Sequence, residues 1–506
     1  MRVSNANAGA VTKLKTGIDG FDSISNGGLP VGRTTLVSGT AGSSKTVFAV
    51  QFLARGLLDY EEAGVFVTFE ETPADIKKNM LSFGWDLASW EAEGKLAIVD
   101  ASPVVEEESV ITGEFDFGAL MARLENAVQR VGARRVSLDS LGAVFTKFDN
   151  HIIVRSELLR IAASLRSIGV TAVMTAERTD EYGEIARHGV EEFVADNVVV
   201  LRNVLENEKR RRTMEILKFR GTDHQKGEYP FSVIADEGIV GVPLSAEMLN
   251  QKTSNVRTTS GNGELNEMCG GGFFRDSIVL VSGATGTGKT LMASQFLAGG
   301  GADDRCLLFA YEESRDQLIR NADGWGFDFV TMERQGRLKV VCDYPEVMGL
   351  EEHLVRMRSL IEEFKPTRIA VDSLSALERG ASPKSFREFV LGLTAAIKRE
   401  QVVGLFTSVT PSLMGGTSIT EAHISTITDS IILLRYVELF GEITRGIAVL
   451  KMRGSRHDRD IREFAIDQTG MQIGKTFRTV TGIMAGNPTH VAASEQERVA
   501  DLFRDP

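Results

Sequence analysis

The strongest constraint on this chain is that it repeats itself. LVSGTAGSSKTVFAVQFLARG from Leu36 returns as LVSGATGTGKTLMASQFLAGG from Leu280. VFVTFEETPADIKKNMLSFGWD returns as LLFAYEESRDQLIRNADGWGFD, RRVSLDSLGAVF as TRIAVDSLSALE, and ILKFRGTDH as VLKMRGSRH. Four blocks in one order at a near-constant offset describe a duplicated domain, with too few copies and too long a period for a solenoid. At 506 residues the chain has room for about three ordinary domains or two larger ones, and the duplication selects two.

Each half alternates short apolar runs (Val65–Phe69, Val136–Asp139, Ala172–Thr175) with amphipathic stretches such as Phe117–Val131 and Ser156–Ser167. That order predicts an α/β fold, a mostly parallel sheet flanked by helices on both faces. Late in each half two strands flank a polar turn, Val198–Leu205 with Thr213–Phe219 and Ile431–Leu439 with Gly446–Met452, which predicts an antiparallel hairpin added to the sheet. The polar, aperiodic QKTSNVRTTSGN (251–262) reads as a linker between a domain at 1–250 and another at 263–487, and 488–506 as an exposed polar tail.

Composition removes several function classes. Hydrophobic residues at 42% and charged residues at 25% are ordinary for a globular protein. No run approaches the roughly 18 apolar residues of a membrane span, and the N-terminus has no apolar signal segment. The net charge of −12 argues against a surface built for nucleic acid. Three dispersed cysteines, Cys269, Cys306 and Cys342, fit a reduced compartment and no clustered metal site. The expectation is a soluble, cytoplasmic protein.

GATGTGKT (283–290) matches G-x4-G-K-[ST] between an apolar run and a helical segment. Backbone N–H groups of Thr285, Gly286, Thr287 and Gly288 can curl around phosphate, aided by the helix N-terminus. Lys289 would neutralise the β- and γ-phosphates, and Thr290 would ligate Mg²⁺. The first copy spans Gly39, Thr40, Gly42, Ser44, Lys45 and Thr46, and places Ser44 where the pattern has its second glycine. If that position needs a positive φ, serine costs about 1–2 kcal/mol; nucleotide binding and an empty pseudo-site both stay open there.

Asp139 and Asp372 end apolar runs behind the two loops, as an aspartate beside Mg²⁺ does; a lone aspartate there would read as a helix cap. Glu70–Glu71 and Glu312–Glu313 directly follow strands, where one carboxylate can deprotonate an attacking water or hydroxyl. The competing reading is acidic decoration of a helix N-terminus. Lys218 with Arg220, and Lys451 with Arg453, point to one side of their strands and have no evident partner in their own domain. Together they suggest cations that reach a neighbouring subunit's triphosphate; solvated edge charges are the alternative. The run Lys209–Arg212 reads as the solvated tip of a hairpin.

From Leu14 to Thr489, through both loops, TFEET, FAYEES, MCGGGFF, KMRGS and HISTITDS, the chain resembles the KaiC family of the cyanobacterial circadian clock. The resemblance implies two tandem RecA-like P-loop NTPase domains, an N-terminal CI-type ATPase and a C-terminal CII-type autokinase, stacked as the double ring of a homohexamer. It implies ATP and Mg²⁺ at subunit interfaces. Mg²⁺ would be held by Thr46 with Asp139 and by Thr290 with Glu312 and Asp372. Glu70 would activate water with Glu71 beside it, and Glu312 would act as base with Glu313 supporting it.

Ser425 and Thr426 would be the phosphorylated pair, with Thr420 taking part, and autophosphatase activity is implied. Trp325 would lie beside adenine and Arg379 at the interface, and His224 and His457 would contact nucleotide. Further nucleotide contacts are implied at Val47, Ser82, Phe219, Thr222 and Asp236, and at Leu291, Arg445 and Met452. A KaiB-like protein would bind the N-terminal ring. The tail, short and differently composed, does not carry KaiA control over to this chain. Two functions stand beside this one on the residues alone: a tandem motor on DNA, for which no basic channel loop is evident, and a scaffold that binds ATP only to hold its ring.

Overall fold

The computed structural model describes residues 11–102, 117–142, 151–186, 191–206, 209–242, 253–410, 424–439, 441–477, 480–483 and 489–490. Thr420 and most of the 488–506 tail lie outside them. The chain divides into two compact units, Met1–Ala246 and Glu247–Pro506.

In the first unit the sheet strands are β1 (Thr34–Gly39), β2 (Gly64–Thr68), β3 (Leu96–Asp100), β4 (Arg135–Asp139), β5 (Thr171–Glu177), β6 (Asn197–Glu206), β7 (Lys209–Phe219), β8 (Glu228–Ile234) and β9 (Gly238–Gly241). Helices α1 (Lys45–Tyr60), α2 (Phe117–Val131) and α3 (His151–Ile168) fall between them. Among the described residues the nine strands form one sheet in the order β9-β8-β7-β6-β1-β5-β4-β2-β3. Pairing is parallel from β6 through β1 to β3; β6 to β9 pair antiparallel. Strand β1 is buried along its whole length, as a strand covered on both faces must be.

The second unit repeats the plan with β10 (Ile278–Gly283), β11 (Cys306–Ala310), β12 (Leu338–Cys342), β13 (Arg368–Asp372), β14 (Val403–Val409), β15 (Ser430–Leu439), β16 (Glu442–Met452), β17 (Arg462–Asp467) and β18 (Gly470–Thr476). Their order is β12-β11-β13-β14-β10-β15-β16-β17-β18. Helices α4 (Lys289–Ala298), α5 (Leu350–Phe364) and α6 (Pro383–Arg399) lie between the strands. Even an ion pair on a buried arginine recurs. Arg135 meets Glu62 at 2.6 Å with its guanidinium 4.9 Å from the Phe52 ring, and Arg368 meets Asp304 at 3.2 Å with Phe296 at 5.1 Å.

The segment read as a linker is not a free connector where it is described. Arg257–Thr258 pairs antiparallel with Phe273–Phe274, and the Asn262 side chain caps the helix Gly263–Met268 by accepting from Leu265 N. The short hairpin closes over Gly272, whose φ of 98° and approach to the Thr258 carbonyl admit no side chain. Polar sequence without periodicity hid this contribution to the second unit.

Candidate functional site

In each unit the central parallel strands end on the same side, where an open α/β sheet places its ligands. Strand β1 feeds the first glycine loop into α1, and β10 feeds the second into α4. Lys45 Nζ donates to the Thr40 carbonyl at 2.9 Å and Lys289 Nζ to the Ala284 carbonyl at 2.8 Å. The Ser43 and Thr287 hydroxyls donate to the same two carbonyls, each at 2.8 Å. Gly288 sits at φ 104°. Ser44 takes the left-handed conformation too, at φ 72° and ψ 30°, so the first loop keeps the shape of the second at a cost of about 1–2 kcal/mol.

Strand pairing gathers the acidic residues. Thr68 pairs with Asp139, and Ala310 with Asp372, so each aspartate lies beside the glutamate pair that follows β2 or β11. Asp139 accepts hydrogen bonds from the Thr175 and Thr46 hydroxyls; Asp372 accepts from Thr407 and Thr290. Burial pushes both carboxyls above their ordinary range. The Ser140 hydroxyl donates to Glu70 at 3.0 Å, whereas Glu312 is ion-paired with Arg379. Asn79 donates to Glu71 at 3.2 Å and Asn321 to Glu313 at 2.8 Å, the same support in both units. Burial raises Glu70, reinforced by Glu177 and Asp139 and opposed by Ser140 and Lys45. Burial also raises Glu313, with Asp372 adding to it.

Glu177 was not singled out in the sequence. It ends β5 opposite Gly39 of the first loop, where β14 places Val409 opposite Gly283. Its only sequence signal was a charge closing the apolar run TAVMTAE. Burial lowers Lys45, opposed by Glu177, Asp139, Glu70 and Glu181; burial lowers Lys289, opposed by Asp372 and Glu312.

The two cation pairs do have partners in their own domains, contrary to the sequence expectation. Lys218 Nζ donates to the carbonyls of Glu192 and Ala195 at 2.9 and 2.7 Å. Lys451 Nζ donates to those of Ser425 and Thr428, both at 2.7 Å. Arg453 Nη2 donates to the Thr426 carbonyl at 2.8 Å, and Arg220 pairs with Asp196 at 3.4 Å. Antiparallel pairing explains this, because Lys218 lies opposite Val198 and Lys451 opposite Ile431. Each lysine therefore reaches the short helical turn that leads into the partner strand, Glu191–Val194 in the first unit and Ile424–Thr426 in the second. Both arginines stay about half exposed, at 54%.

The run Lys209–Arg212 does start at the hairpin turn, Lys209 lying opposite Glu206 with Arg210 exposed, and it also makes backbone contacts. It opens β7, where Arg210 donates to the Asn203 carbonyl at 2.8 Å and Arg212 to the Gly42 carbonyl at 3.4 Å. Arg445 occupies the equivalent place, opposite Tyr436, whose hydroxyl donates to Thr285 O at 3.4 Å. Ser82 and Asp236 come together through an Asp236 N to Ser82 O bond of 3.2 Å. Trp325 caps the end of the helix Arg315–Gly324 and is half-buried, as are Val47, Thr222 and His457. His224, likewise half-buried, has its ring 5.8 Å from Phe219. Phe219, Leu291 and Met452 are buried in the hydrophobic cores, leaving only their backbone groups for a nucleotide.

The donors around each loop suit Mg²⁺. A threonine hydroxyl and an aspartate carboxylate supply hard oxygens, the ligand type Mg²⁺ takes alongside water and phosphate. Thr46 with Asp139, and Thr290 with Asp372 and Glu312, would hold it. Among the described residues no group of three or more His, Cys, Asp or Glu side chains could hold a metal by itself, and no helix is long and apolar enough to cross a membrane.

A family model described as "ATPase: KaiC" matches residues 14–245 and again 258–477. The chain belongs to the KaiC family. It is 64% identical to the circadian clock protein KaiC3 of Synechocystis, over 97% of this chain and 98% of that one. It is 57% identical to the circadian clock oscillator protein KaiC of Synechococcus elongatus, over 99% and 96%, and 56% identical to that of Acaryochloris marina, over 98% and 95%. Membership makes the chain an ATPase with two tandem RecA-like domains, its relatives being circadian clock proteins.

Proposed function

We propose that both units hydrolyse ATP with Mg²⁺ and that the second also transfers the γ-phosphoryl group to Ser425 and Thr426, an autokinase with autophosphatase activity that keeps or signals time. One observation carries this reading. Lys451 and Arg453 hold the backbone of Ser425–Thr428, and the matching lysine of the first unit, Lys218, holds Glu192–Ala195. The same clasp thus presents two hydroxyls in one unit and EEFV in the other. Thr420 belongs to the same serine- and threonine-rich stretch.

Lys289 and the loop N–H groups would hold the β- and γ-phosphates. Glu312, backed by Glu313, would take the proton of the attacking hydroxyl as its oxygen bonds to the γ-phosphorus and ADP leaves. Mg²⁺ would neutralise the charge on the phosphate oxygens. In the first unit Glu70, with Glu71 behind it, would take the proton from water. The half-exposed Arg220 and Arg453 suit a neighbour's triphosphate, and a head-to-tail contact of that kind closes into a ring. We read that ring as a two-tiered homohexamer, with Arg379 at the interface and a KaiB-like protein on the first tier.

Incubation with γ-labelled ATP and mass mapping tests this. The expected result is label on the peptide holding Ser425 and Thr426, lost in Glu312→Gln and kept in Glu70→Gln. Label confined to the first unit, or none with intact ATP hydrolysis, would overturn the autokinase reading.

A further inference from the structure

One carboxylate in each unit joins parts of the site that neither glycine loop nor acidic pair touches. Asp196, 5% exposed, sits at the entry to β6, and Asp429 at the entry to β15. Asp196 accepts from Thr34 N at 3.4 Å at the start of β1, from Arg166 at 2.9 Å near the end of α3, and pairs with Arg220 at 3.4 Å. Asp429 accepts from Ile278 N at 2.9 Å at the start of β10, pairs with Lys398 at 2.7 Å near the end of α6, and with Arg453 at 3.5 Å. The backbone repeats the arrangement, since Arg220 N donates to Asp196 O at 3.4 Å and Arg453 N to Asp429 O at 2.9 Å.

We propose that Asp196 and Asp429 are positioning residues that orient Arg220 and Arg453 toward a nucleotide bound by a second copy of the chain. The inference rests on the cross-subunit reading above. In each cluster one carboxylate faces two cations, so the arginine is fixed on one side without being neutralised. Both arginine side chains stay 54% exposed, and Arg453 is held further by its Nη2 bond to the Thr426 carbonyl at 2.8 Å. The fork geometry of a guanidinium gains phosphate contacts only when its plane is held, and a misplacement of about 1 Å costs about a hundredfold in rate.

The test separates positioning from charge and from a clamp on the residue's own loop. Asp429→Asn removes a negative charge near a triphosphate, so simple electrostatics predicts tighter ATP binding and no slower transfer. Positioning predicts labelling slowed about a hundredfold at saturating ATP, KM for ATP unchanged or lower, and partial rescue by Asp429→Glu. Mixed with Lys289→Ala chains, which cannot hold ATP in that unit, Asp429→Asn chains should regain transfer, with the label on the Lys289→Ala chain. Unaltered labelling overturns the proposal. So does a raised KM with no recovery in the mixture, which would place the effect in the chain's own loop through Ile278. Asp196→Asn mixed with Lys45→Ala, both in a Lys289→Ala background and read as ATP hydrolysis, repeats the test without acceptor hydroxyls. Failure of labelling in the unmutated protein, with recovery in that hydrolysis mixture, would sink the kinase reading alone.

Discussion

The two nucleotide sites share one scaffold and differ in charge. Both loops tie their lysine to the same carbonyl position, and both aspartates accept from two threonines. Yet four carboxylates act on Lys45 and two on Lys289. Glu70 rests against the neutral Ser140, while Glu312 is compensated by Arg379. Where the second unit offers Ser425 and Thr426 to its cation pair, the first has Glu192 and Phe193. Duplicating a fold preserved the phosphate cradle, and a few side chains around it set the two halves apart; on the proposed reading, those side chains leave water as the acceptor at the first site and let hydroxyls compete with it at the second.

The sharpest way to break this comparison is to remove one base at a time. In a Lys289→Ala background, Glu70→Gln should cut ATP hydrolysis by about 10²–10⁴-fold; Glu312→Gln in the full chain should cut labelling by a similar factor and leave first-unit hydrolysis in place. Equal loss of both activities from either change, measured by phosphate release and label incorporation, would erase the distinction between the sites.

A smaller effect concerns pH. A base works deprotonated, and burial with Glu177 and Asp139 raises Glu70, so hydrolysis by the first unit should fall away at a higher pH than an ordinary glutamate would set. Glu177→Gln removes one of the raising charges and should move that acid limb downward, as a pH–rate profile would record. An unmoved limb would remove Glu177 from the site.

The loop glycine sharpens the contrast further. Ser44→Gly should relieve left-handed strain and stabilise the first unit by about 1 kcal/mol, a rise of about 2–4 °C in its unfolding midpoint. Gly288→Ser should destabilise the second, because a Cβ there would meet Ile466 Cδ1 at 3.1 Å with φ at 104°. Least of all, Arg379→Ala should change unfolding by about 0–1 kcal/mol, its pair with Glu312 being 68% and 40% exposed, so a large stability loss would mark that arginine as structural.

Much of this was legible before any coordinates. Glycine loops, strand-ending aspartates and the glutamate pairs announce themselves because their chemistry demands local sequence, and the helix Phe117–Val131 has the expected ends. Residues that act through long-range pairing stayed hidden. Glu177 is one polar residue after a strand, and Val409 breaks the repeat at its position. Asp196 and Asp429 do repeat, in ADN and TDS, but outside the four aligned blocks. The partners of Lys218 and Lys451 depend on which loop an antiparallel neighbour brings alongside, and period-two spacing gives a side of the sheet, not that loop.

The most direct test of the account mixes two defective chains. Lys289→Ala chains lack a phosphate grip in the second unit, and chains carrying Thr420→Ala, Ser425→Ala and Thr426→Ala lack acceptors. Neither alone should take label from γ-labelled ATP. Allowed to co-assemble, they should yield label on the Lys289→Ala chain alone, donated by its neighbour. A mixture as inert as its components, in rings shown to contain both chains, would contradict transfer between subunits.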